Sequence, residues 1–557
     1  MATAGPSLDA LATELQALRN ETQRDITRLN RAVDTTYSLF CAVVIFLMQA
    51  GFTMLEAGSV RERSVRDVLF KNLLDVSIGA LMWFLIGYVL SSDGGSNGFV
   101  GLPQLGSFNA SEASPFDVLV EFHPQQDGLA VAHDFMAFMY ATTSATIVSG
   151  AVAERTQQRA YIFSSATMTA VVYPIVAHWL WSTPGWLSYR GTQAFNGGAF
   201  DFAGGGVVHL TGGVMALVAA AIVGPRAGRF HPTTRMPIKM RGSSSALFAL
   251  GTVLLWIGWI GFNVGSTHGI VAEGAPLVAA QTAMRTTLAG SAGALAALTA
   301  SRCRHKVGPL GQWGIWSFEH AANGLLAGLV SVTAGAPVLG DVSSILVGAI
   351  GGLLYYGASH FVQRCLMIDD VIDAFAVHGV CGLWSLLAVG LLAESGTTLL
   401  APGGHGALCG GDGRLLANNL LASVCISLWA MGLGVMIFMP LRGLGFMRIP
   451  TDFEIIGIDI AELGRVAYDR GIGLEPGQAV NAVARPISPT ISESTSGHPT
   501  NGTLVSPANE EQDDNQAEGH PEAVPVDSLG VEVELSGPPE GGPVDPGIVV
   551  GRAISSA

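Results

Sequence analysis

Two segments with the same pattern decide the architecture of this chain: DFAGGGVVHL at residues 201–210 and DAFAVHGVCG at residues 373–382. Each begins with an aspartate and places one histidine, His209 or His378, inside a long apolar stretch. An ionisable side chain at membrane depth is costly and faces a protein interior or a water-filled path, so it indicates a functional site. Two such histidines in similar surroundings predict one site built from two halves of the chain.

The composition is that of a polytopic membrane protein. Of the 557 residues, 49% are hydrophobic and 13% are charged, and the mean hydropathy is +0.44. Soluble domains carry about 25% charged residues, so half that fraction over this length excludes an ordinary soluble fold. The 71 glycines exceed the usual share of about 7%, which favours helices that pack closely in a bilayer.

Apolar stretches of about 20 residues, the length that crosses a bilayer, predict an all-α fold with eleven transmembrane helices. Glycine and proline interrupt the eighth and ninth stretches, which are the weakest of the set. The first stretch is long enough to be a span itself, so no separate signal peptide is expected. The spans cover residues 36–56, 73–91, 130–153, 160–182, 204–224, 246–266, 278–300, 316–337, 343–362, 371–393 and 418–441.

The basic residues predict the orientation. Alternate short loops carry nearly all of the arginine and lysine, whereas the other loops carry only Arg190 and Arg414. Because the basic side of a membrane protein is cytoplasmic, we expect the N-terminus outside, the C-terminus inside and a location in the plasma membrane. The sequons at Asn20 and Asn109 then lie outside and are candidate glycosylation sites, although chance explains them equally well.

Composition divides the chain into four parts. Residues 1–34 form an extracellular amphipathic helix, expected to pack on the surface of its own protein rather than to join subunits. Residues 35–442 form the membrane domain, residues 443–470 a cytoplasmic segment, and residues 471–557 an acidic tail whose composition predicts disorder. The six cysteines have no disulfide or metal spacing. We therefore expect no metal, no cofactor and, without a basic face, no nucleic-acid partner.

The chain also repeats itself. The first and sixth spans share a Gly-Phe motif, FLMQAGFTMLEAGS from Phe46 and WIGWIGFNVGS from Trp256, and the fifth and tenth spans share the Asp…His element. A period of five spans is odd, so the second copy enters the membrane from the opposite side. This pattern predicts an inverted five-plus-five repeat with one extra helix, and a site near the membrane midplane.

Further motifs are SGAVAER at residues 149–155 and NGLLAGLVSVTAG at residues 323–335. Together with the segments above, and in this order, they resemble the ammonium transporter/Rhesus family and its ammonium transporter branch most closely. The resemblance covers roughly residues 35 to 470. It implies a homotrimer of eleven-helix subunits, each with its own narrow pore for ammonium or ammonia.

The resemblance implies roles for eight residues along one path. From the outer vestibule inward, they are Trp181, Ser266 and Asp201 at the recruitment site, Tyr140 and Phe262 at the gate, and His209, His378 and Thr333 in the pore. Tyr140, which also borders the recruitment site, stands where the family has phenylalanine, and its hydroxyl needs a partner.

Structural roles compete with these assignments. We expect Asp201 to cap the fifth helix, Asp373 to cap the tenth, and Thr333 to bond its own helix backbone. His178 is expected to meet interfacial water. Arg285 lies in the seventh span without an evident partner and must reach toward an acceptor.

The cytoplasmic segment resembles the family's helix that touches the neighbouring subunit, and a cytoplasmic regulator is a possible partner there. Ala461 stands where some members carry a phosphorylatable threonine, which excludes phosphorylation at that position because alanine has no hydroxyl.

The chemistry fits transport of a small cation or its neutral base. Stripping water from ammonium in an apolar channel costs several kcal/mol, and an aromatic cage returns about 0.5–2 kcal/mol by cation–π attraction. Buried histidines are expected to be neutral and to share one hydrogen bond. A sensor that signals through the C-terminal segment is the alternative. An intramembrane enzyme is disfavoured because no nucleophile motif, metal spacing or cofactor loop is present, and no catalytic residue is expected.

Overall fold

The computed structural model describes residues 7–93, 97–101, 127–189, 191, 195–304, 316–394, 404–465 and 467–468, and these form an all-helical membrane protein. Asn109 and the tail at residues 471–557 lie outside the described residues. The long helices are α1 Leu8–Ser59, α2 Glu62–Ser91, α3 Gly128–Val152, α4 Gln158–Trp181, α5 Gly205–Val223, α6 Ser245–Gly265, α7 Ala275–Arg304, α8 Phe318–Thr333, α9 Asp341–Leu366, α10 Phe375–Leu392 and α11 Arg414–Gly443. Two short helices follow, α12 Thr451–Ile456 and α13 Ile458–Leu463.

Each predicted span coincides with one of the long helices. Within the described part of the chain, nine of them are long and apolar enough to cross a membrane. The exceptions are α7 and α8. The helix α8 has only 16 residues, which agrees with the weak eighth span in the sequence, whereas the ninth span is a full-length helix.

The structure supplies the partner of Arg285, which the sequence left open. Arg285 Nε donates to Asp341 Oδ1 at 3.0 Å, and its Nη1 donates to the carbonyl oxygen of Pro337 at 3.0 Å. The Asp341 side chain is 63% exposed, while that of Arg285 is 11% exposed. The long arginine side chain thus reaches from the apolar helix α7 to the polar start of α9.

The shared Gly-Phe motifs allow α1 and α6 to pack at close range. A Cβ atom at Gly58 of α1 would lie 2.4 Å from the backbone nitrogen of Phe248, and one at Gly251 of α6 would lie 2.2 Å from that of Leu55. Small residues permit such approach between membrane helices. The helices α5 and α10 also contact each other, so equivalent helices of the two predicted halves face one another.

The N-terminal part of α1 does not pack on the surface of its own protein, and that expectation was wrong. The helix continues over 52 residues, and every residue from Leu8 to Leu29 is exposed. Docking begins near Asp34, whose Oδ1 accepts from the backbone nitrogen of Ile270 at 2.7 Å. We call residues 8–29 the N-terminal arm.

Close glycine packing between α7 and α9 makes a testable prediction. A Cβ atom at Gly348 would lie 2.1 Å from the carbonyl oxygen of Ala289, whereas one at Gly357 of the same helix meets nothing within 4 Å. We expect Gly348→Ala to lower the free energy of unfolding by about 1–3 kcal/mol, because backbone cannot yield as a side chain can. Gly357→Ala is the control and should be neutral or stabilising. Thermal unfolding of the purified variants measures this, and equal melting temperatures would contradict it.

Candidate functional site

The two histidine-bearing helices begin with the same unusual geometry. The first turn of α5, Gly205–Leu210, and the first turn of α10, Phe375–Val380, are both π-helical. Turns of this kind are rare and occur frequently at functional sites. The equivalent helices of the two halves therefore share their local backbone as well as their sequence pattern.

Asp201 holds the start of α5, as the sequence predicts. Its carboxylate is buried and accepts four backbone hydrogen bonds. The donors are the backbone nitrogens of Gly204 at 2.9 Å, Gly205 at 2.8 Å, Gly206 at 2.8 Å and Val207 at 2.9 Å. These groups have no partner inside the helix, so the aspartate replaces the water that a bilayer does not provide.

At α10 the cap is Asp370, and the expectation for Asp373 was wrong. Asp370 Oδ2 accepts from the backbone nitrogen of Phe375 at 2.8 Å, and Asp370 precedes His378 by eight positions, the same spacing as in the first half. Asp373 has a φ of 60°, and its carboxylate accepts from Ser359 Oγ at 2.9 Å and Gln363 Nε2 at 3.0 Å instead.

His209 and His378 meet where α5 and α10 contact each other. Their Nδ1 atoms are 3.3 Å apart, and the two buried rings stack with centroids 5.2 Å apart. In such a pair one nitrogen donates and the other accepts, so the rings share one hydrogen bond as expected. His209 Nε2 is buried and has no hydrogen-bond partner among the described residues.

Trp259 belongs to this site although sequence reasoning missed it. Its ring stacks on His209 at a centroid distance of 4.8 Å and lies parallel to His378 at 6.2 Å. Trp259 Nε1 donates to Thr333 Oγ1 at 3.0 Å, and Thr333 donates to the carbonyl oxygen of Leu329 at 2.8 Å. Thr333 thus bonds its own helix, as expected, and also fixes the indole ring against the histidines.

Tyr140 and Phe262 lie between Trp181 and the histidines. Their rings meet edge to face with centroids 4.5 Å apart, and Phe262 lies 5.5 Å from His209. The Tyr140 hydroxyl lies 2.9 Å from Ser266 Oγ and 3.1 Å from the carbonyl oxygen of Phe262. The hydroxyl that departs from the family pattern therefore has two hydrogen-bond partners, on Phe262 and Ser266.

A cavity of about 390 Å³ opens on the far side of Tyr140. Trp181, 5.8 Å from Tyr140 between ring centroids, lines it, and Trp181 Nε1 donates to the backbone oxygen of Asp201 at 2.7 Å. Ser266, Asp93 and Asp134 also face the cavity. Among the described residues that line it there are three aspartates and no lysine or arginine. Sequence reasoning missed Asp93 and Asp134, because neither belongs to a recognisable motif.

His178 does not meet interfacial water, so that expectation was wrong as well. The ring is fully buried, and its two nitrogens lie 2.9 Å from the backbone oxygens of Ser92 and Asn97. His178 therefore ties the segment after α2 to α4, beside the cavity.

A buried cluster of charged residues lies among the basic loops. Asp369 accepts from Arg226 Nε at 2.8 Å and from Arg229 Nε at 3.0 Å, while Glu154 accepts from Arg226 Nη1 at 2.6 Å. Burial alone would raise the pKa of the Asp369 carboxyl, but the Arg226 guanidinium holds that pKa well below its ordinary value. Asp369 therefore stays ionised across the physiological pH range.

The C-terminal helices dock on this cluster. Glu454 of α12 accepts from Arg448 Nη2 at 2.7 Å and from the backbone nitrogen of Ala227 at 2.6 Å. Asp459 of α13 accepts from the backbone nitrogens of Arg66 at 3.0 Å and Asp67 at 2.8 Å. The segment thus contacts the loop after α5 and the start of α2.

The cap on α5 makes a second prediction. Asp201→Ala leaves four buried N–H groups without an acceptor, and each such group costs about 1–3 kcal/mol. We expect this variant to lose at least several kcal/mol of stability or to fail to fold, and Asp201→Asn, which keeps one acceptor oxygen, to be less severe. Asp93→Ala, at an exposed position beside the same cavity, is the control. Thermal unfolding measures the order, and an Asp201→Ala variant as stable as the control would contradict it.

Comparisons with known proteins identify the family. The family model described as Ammonium Transporter Family matches residues 36–468. Ammonium transporter 1 member 3 of Solanum lycopersicum is 36% identical over 460 residues, covering 79% of this chain and 93% of that protein. Ammonium transporter Amt2 of Archaeoglobus fulgidus is 37% identical over 443 residues, covering 78% of this chain and 88% of that protein.

Solved structures give the same result. A structure described as a sensor Amt protein superposes with a TM-score of 0.67 at 29% identity, covering 78% of this chain and 99% of that one. Mep2 of Candida albicans superposes with a TM-score of 0.62 at 26% identity, covering 78% of this chain and 90% of that one. This integral, multi-pass membrane protein belongs to the ammonium transporter family.

Proposed function

We propose that the protein transports ammonium or ammonia through a narrow pore in each subunit. One observation carries this proposal, namely a single file of rings from the cavity to the centre. Centroid distances are 5.8 Å from Trp181 to Tyr140, 4.5 Å from Tyr140 to Phe262, 5.5 Å from Phe262 to His209 and 5.2 Å from His209 to His378. The file changes from aromatic faces, which attract a cation, to imidazoles, which exchange hydrogen bonds and protons.

The cavity is the recruitment site. Its aspartates raise the local concentration of cations, and the faces of Trp181 and Tyr140 return about 0.5–2 kcal/mol of the lost hydration by cation–π attraction. Asp93 accepts from Thr183 and Asp134 accepts from Trp83 Nε1, and both carboxylates add negative charge at the cavity. Asp201 contributes indirectly, because its carboxylate oxygens are occupied by the start of α5 and its backbone oxygen holds Trp181.

The gate favours a solute with N–H donors. Ser266 Oγ and the Tyr140 hydroxyl oxygen lie side by side, and each has lone pairs that accept from ammonium. A potassium ion has no donors, so it gains only the electrostatic part of this contact. Beyond the gate the path is apolar, which penalises a bare cation more than neutral ammonia.

The histidines then conduct the neutral species and handle the proton. In the shared hydrogen bond both Nδ1 atoms are occupied, which leaves the Nε2 atoms toward the path. His209 Nε2 is buried and without a partner in the described chain. When His209 donates the shared bond from Nδ1, its Nε2 accepts from ammonia or takes up a proton; when His209 accepts that bond, its Nε2–H donates to the ammonia lone pair. Trp259 keeps both rings parallel and so preserves this arrangement during passage.

The same proposal includes the orientation, the membrane location and the oligomeric state of the protein. The cavity faces the outside and the Arg226 cluster the cytoplasm, because the cluster lies among the basic loops. The subunits form a homotrimer in the plasma membrane, with Asn20 exposed on the outer side as a candidate glycosylation site.

A second candidate function is ammonium sensing, and the docked C-terminal segment favours it. Glu454 binds the loop that follows α5, the helix that carries His209. A change at the pore therefore has a short mechanical route to the cytoplasmic surface. A cytoplasmic regulator that competes for the contacts of Glu454 and Asp459 would sense or change the conformation of the pore.

Transport current tests the role of the histidines. In liposomes on a solid-supported membrane, an ammonium pulse should give a sustained current, and His209→Ala or His378→Ala should lower it roughly tenfold or more, the effect of about 1.4 kcal/mol. His231→Ala, at an exposed loop position, is the matched control and should retain the current.

The other outcomes separate the alternatives. An unchanged current in both histidine variants would contradict the proposed pore. A wild-type protein that gives no current but accelerates ammonia-driven pH change would be a passive channel. A protein that gives neither signal would favour the sensor.

Docking of the C-terminal segment is expected to depend on pH. Burial raises the pKa of Asp459 to about 6, against about 3.9 for a free aspartate. Because the docked carboxyl binds its proton more tightly, docking strengthens as the pH falls from about 6 toward 4 and weakens as it rises through 6. Hydrogen exchange at the amides of Arg66 and Asp67, corrected for intrinsic rates, should show more protection at pH 5 than at pH 7.5. Asp459→Asn should remove most of this difference, and less protection at pH 5 would contradict the prediction.

A further inference from the structure

The N-terminal arm carries an apolar stripe that nothing in the described chain covers. All its apolar members are well exposed, although such a stripe on a helix ordinarily faces a partner. With the position just beyond the arm, the stripe comprises Leu8 (86% exposed), Leu11 (47%), Leu15 (51%), Leu18 (59%), Ile26 (46%), Leu29 (65%) and Val33 (41%).

The spacing of the stripe is that of a coiled coil with one stutter. Counted from Leu8 and including Thr22, successive members lie 3, 4, 3, 4, 4, 3 and 4 residues apart. Alternating steps of three and four define heptads. Two steps of four meet at Thr22, so the heptad pattern has one additional four-residue step there. Such an insertion is a stutter, which locally unwinds the supercoil but keeps the seam continuous.

The charges beside the stripe fit a parallel neighbour. In a parallel coiled coil, a residue at heptad position g stands just before an a position of the seam. It contacts the residue at position e that lies five places further along the adjacent helix. Glu14 precedes Leu15, and Arg19 lies five places further on. A parallel neighbour therefore pairs Glu14 of one helix with Arg19 of the other. On the opposite face lie polar residues such as Gln16 and Asn20, which leaves a glycan at Asn20 clear of the seam.

The arm does not resemble a helix that lies on a lipid surface. Such helices have polar faces rich in lysine and arginine, whereas the arm contains four acidic residues and three arginines between Leu8 and Leu29. Copies of this chain, in contrast, are available in the right orientation. Because every copy inserts with the same topology, all arms project parallel from one side of the membrane at high effective concentration.

We propose that the arms of neighbouring copies of this chain associate with one another as a parallel coiled coil next to the membrane. The arm spans about 33 Å at 1.5 Å per residue, which holds six steps of the seam from Leu8 to Leu29. This contact joins subunits through a surface separate from the pore, so it goes beyond the proposed transport function.

Cysteine cross-linking of the full-length protein in native membranes tests the seam. Leu15→Cys and Leu18→Cys place a thiol on the stripe, and Asn20→Cys places one on the opposite face as the matched control. The unaltered chain has no cysteine before Cys41, so it reports any background. With copper phenanthroline, we expect covalent dimers severalfold more abundant for Leu15→Cys and Leu18→Cys than for Asn20→Cys.

A charge swap tests the register. Added to Leu15→Cys, Glu14→Arg should lower the dimer yield severalfold, and the further change Arg19→Glu should restore it. Dimers at equal yield from Leu15→Cys and Asn20→Cys would overturn the proposal. So would rapid labelling of Leu18→Cys by a membrane-impermeant maleimide, or cross-links to a different protein in place of the dimer. Ammonium current measured on the same variants should be unchanged, which keeps this result independent of the transport proposal.

Discussion

The histidine pair depends on two helices that begin at buried positions. A helix start exposes N–H groups without partners, and lipid provides no acceptor for them. Asp201 accepts four such groups at α5, and Asp370 occupies the equivalent position at α10. Both starts are held by carboxylates and open with π-helical turns, and the Nδ1 atoms of His209 and His378 lie 3.3 Å apart.

The sequence predicted those features that depend on residue type. It failed where the course of the backbone decides which side chains meet. Histidines in apolar spans are unusual wherever they fold, so His209 and His378 were recognisable. Asp370 and Asp373 stand in one short segment, and only the positive φ at Asp373 turns its side chain away from the helix start. The partner of Arg285 comes from a different helix, and no local pattern indicates a contact of that kind.

The buried polar atoms near the histidines differ in how many hydrogen-bond partners they have. The Tyr140 hydroxyl has two partners, and Trp259 donates to Thr333, so these side chains are held by the protein itself. His209 Nε2 is left without one among the described residues. An unmet buried nitrogen costs stability, and a solute that offers a hydrogen bond removes that cost. Under the proposed function, ammonia offers that hydrogen bond, whereas an apolar solute of the same size does not.

Two adjacent residues link the start of α10 with the buried charged cluster. Asp369 binds Arg226 and Arg229, while the next residue, Asp370, holds the start of the helix that carries His378. The residue that anchors the charged cluster and the residue that caps α10 are therefore neighbours in the chain. The docked C-terminal segment binds the same charged cluster through Glu454. The charged cluster, the cap of α10 and the docking site of the C-terminal segment therefore form one contiguous set of contacts.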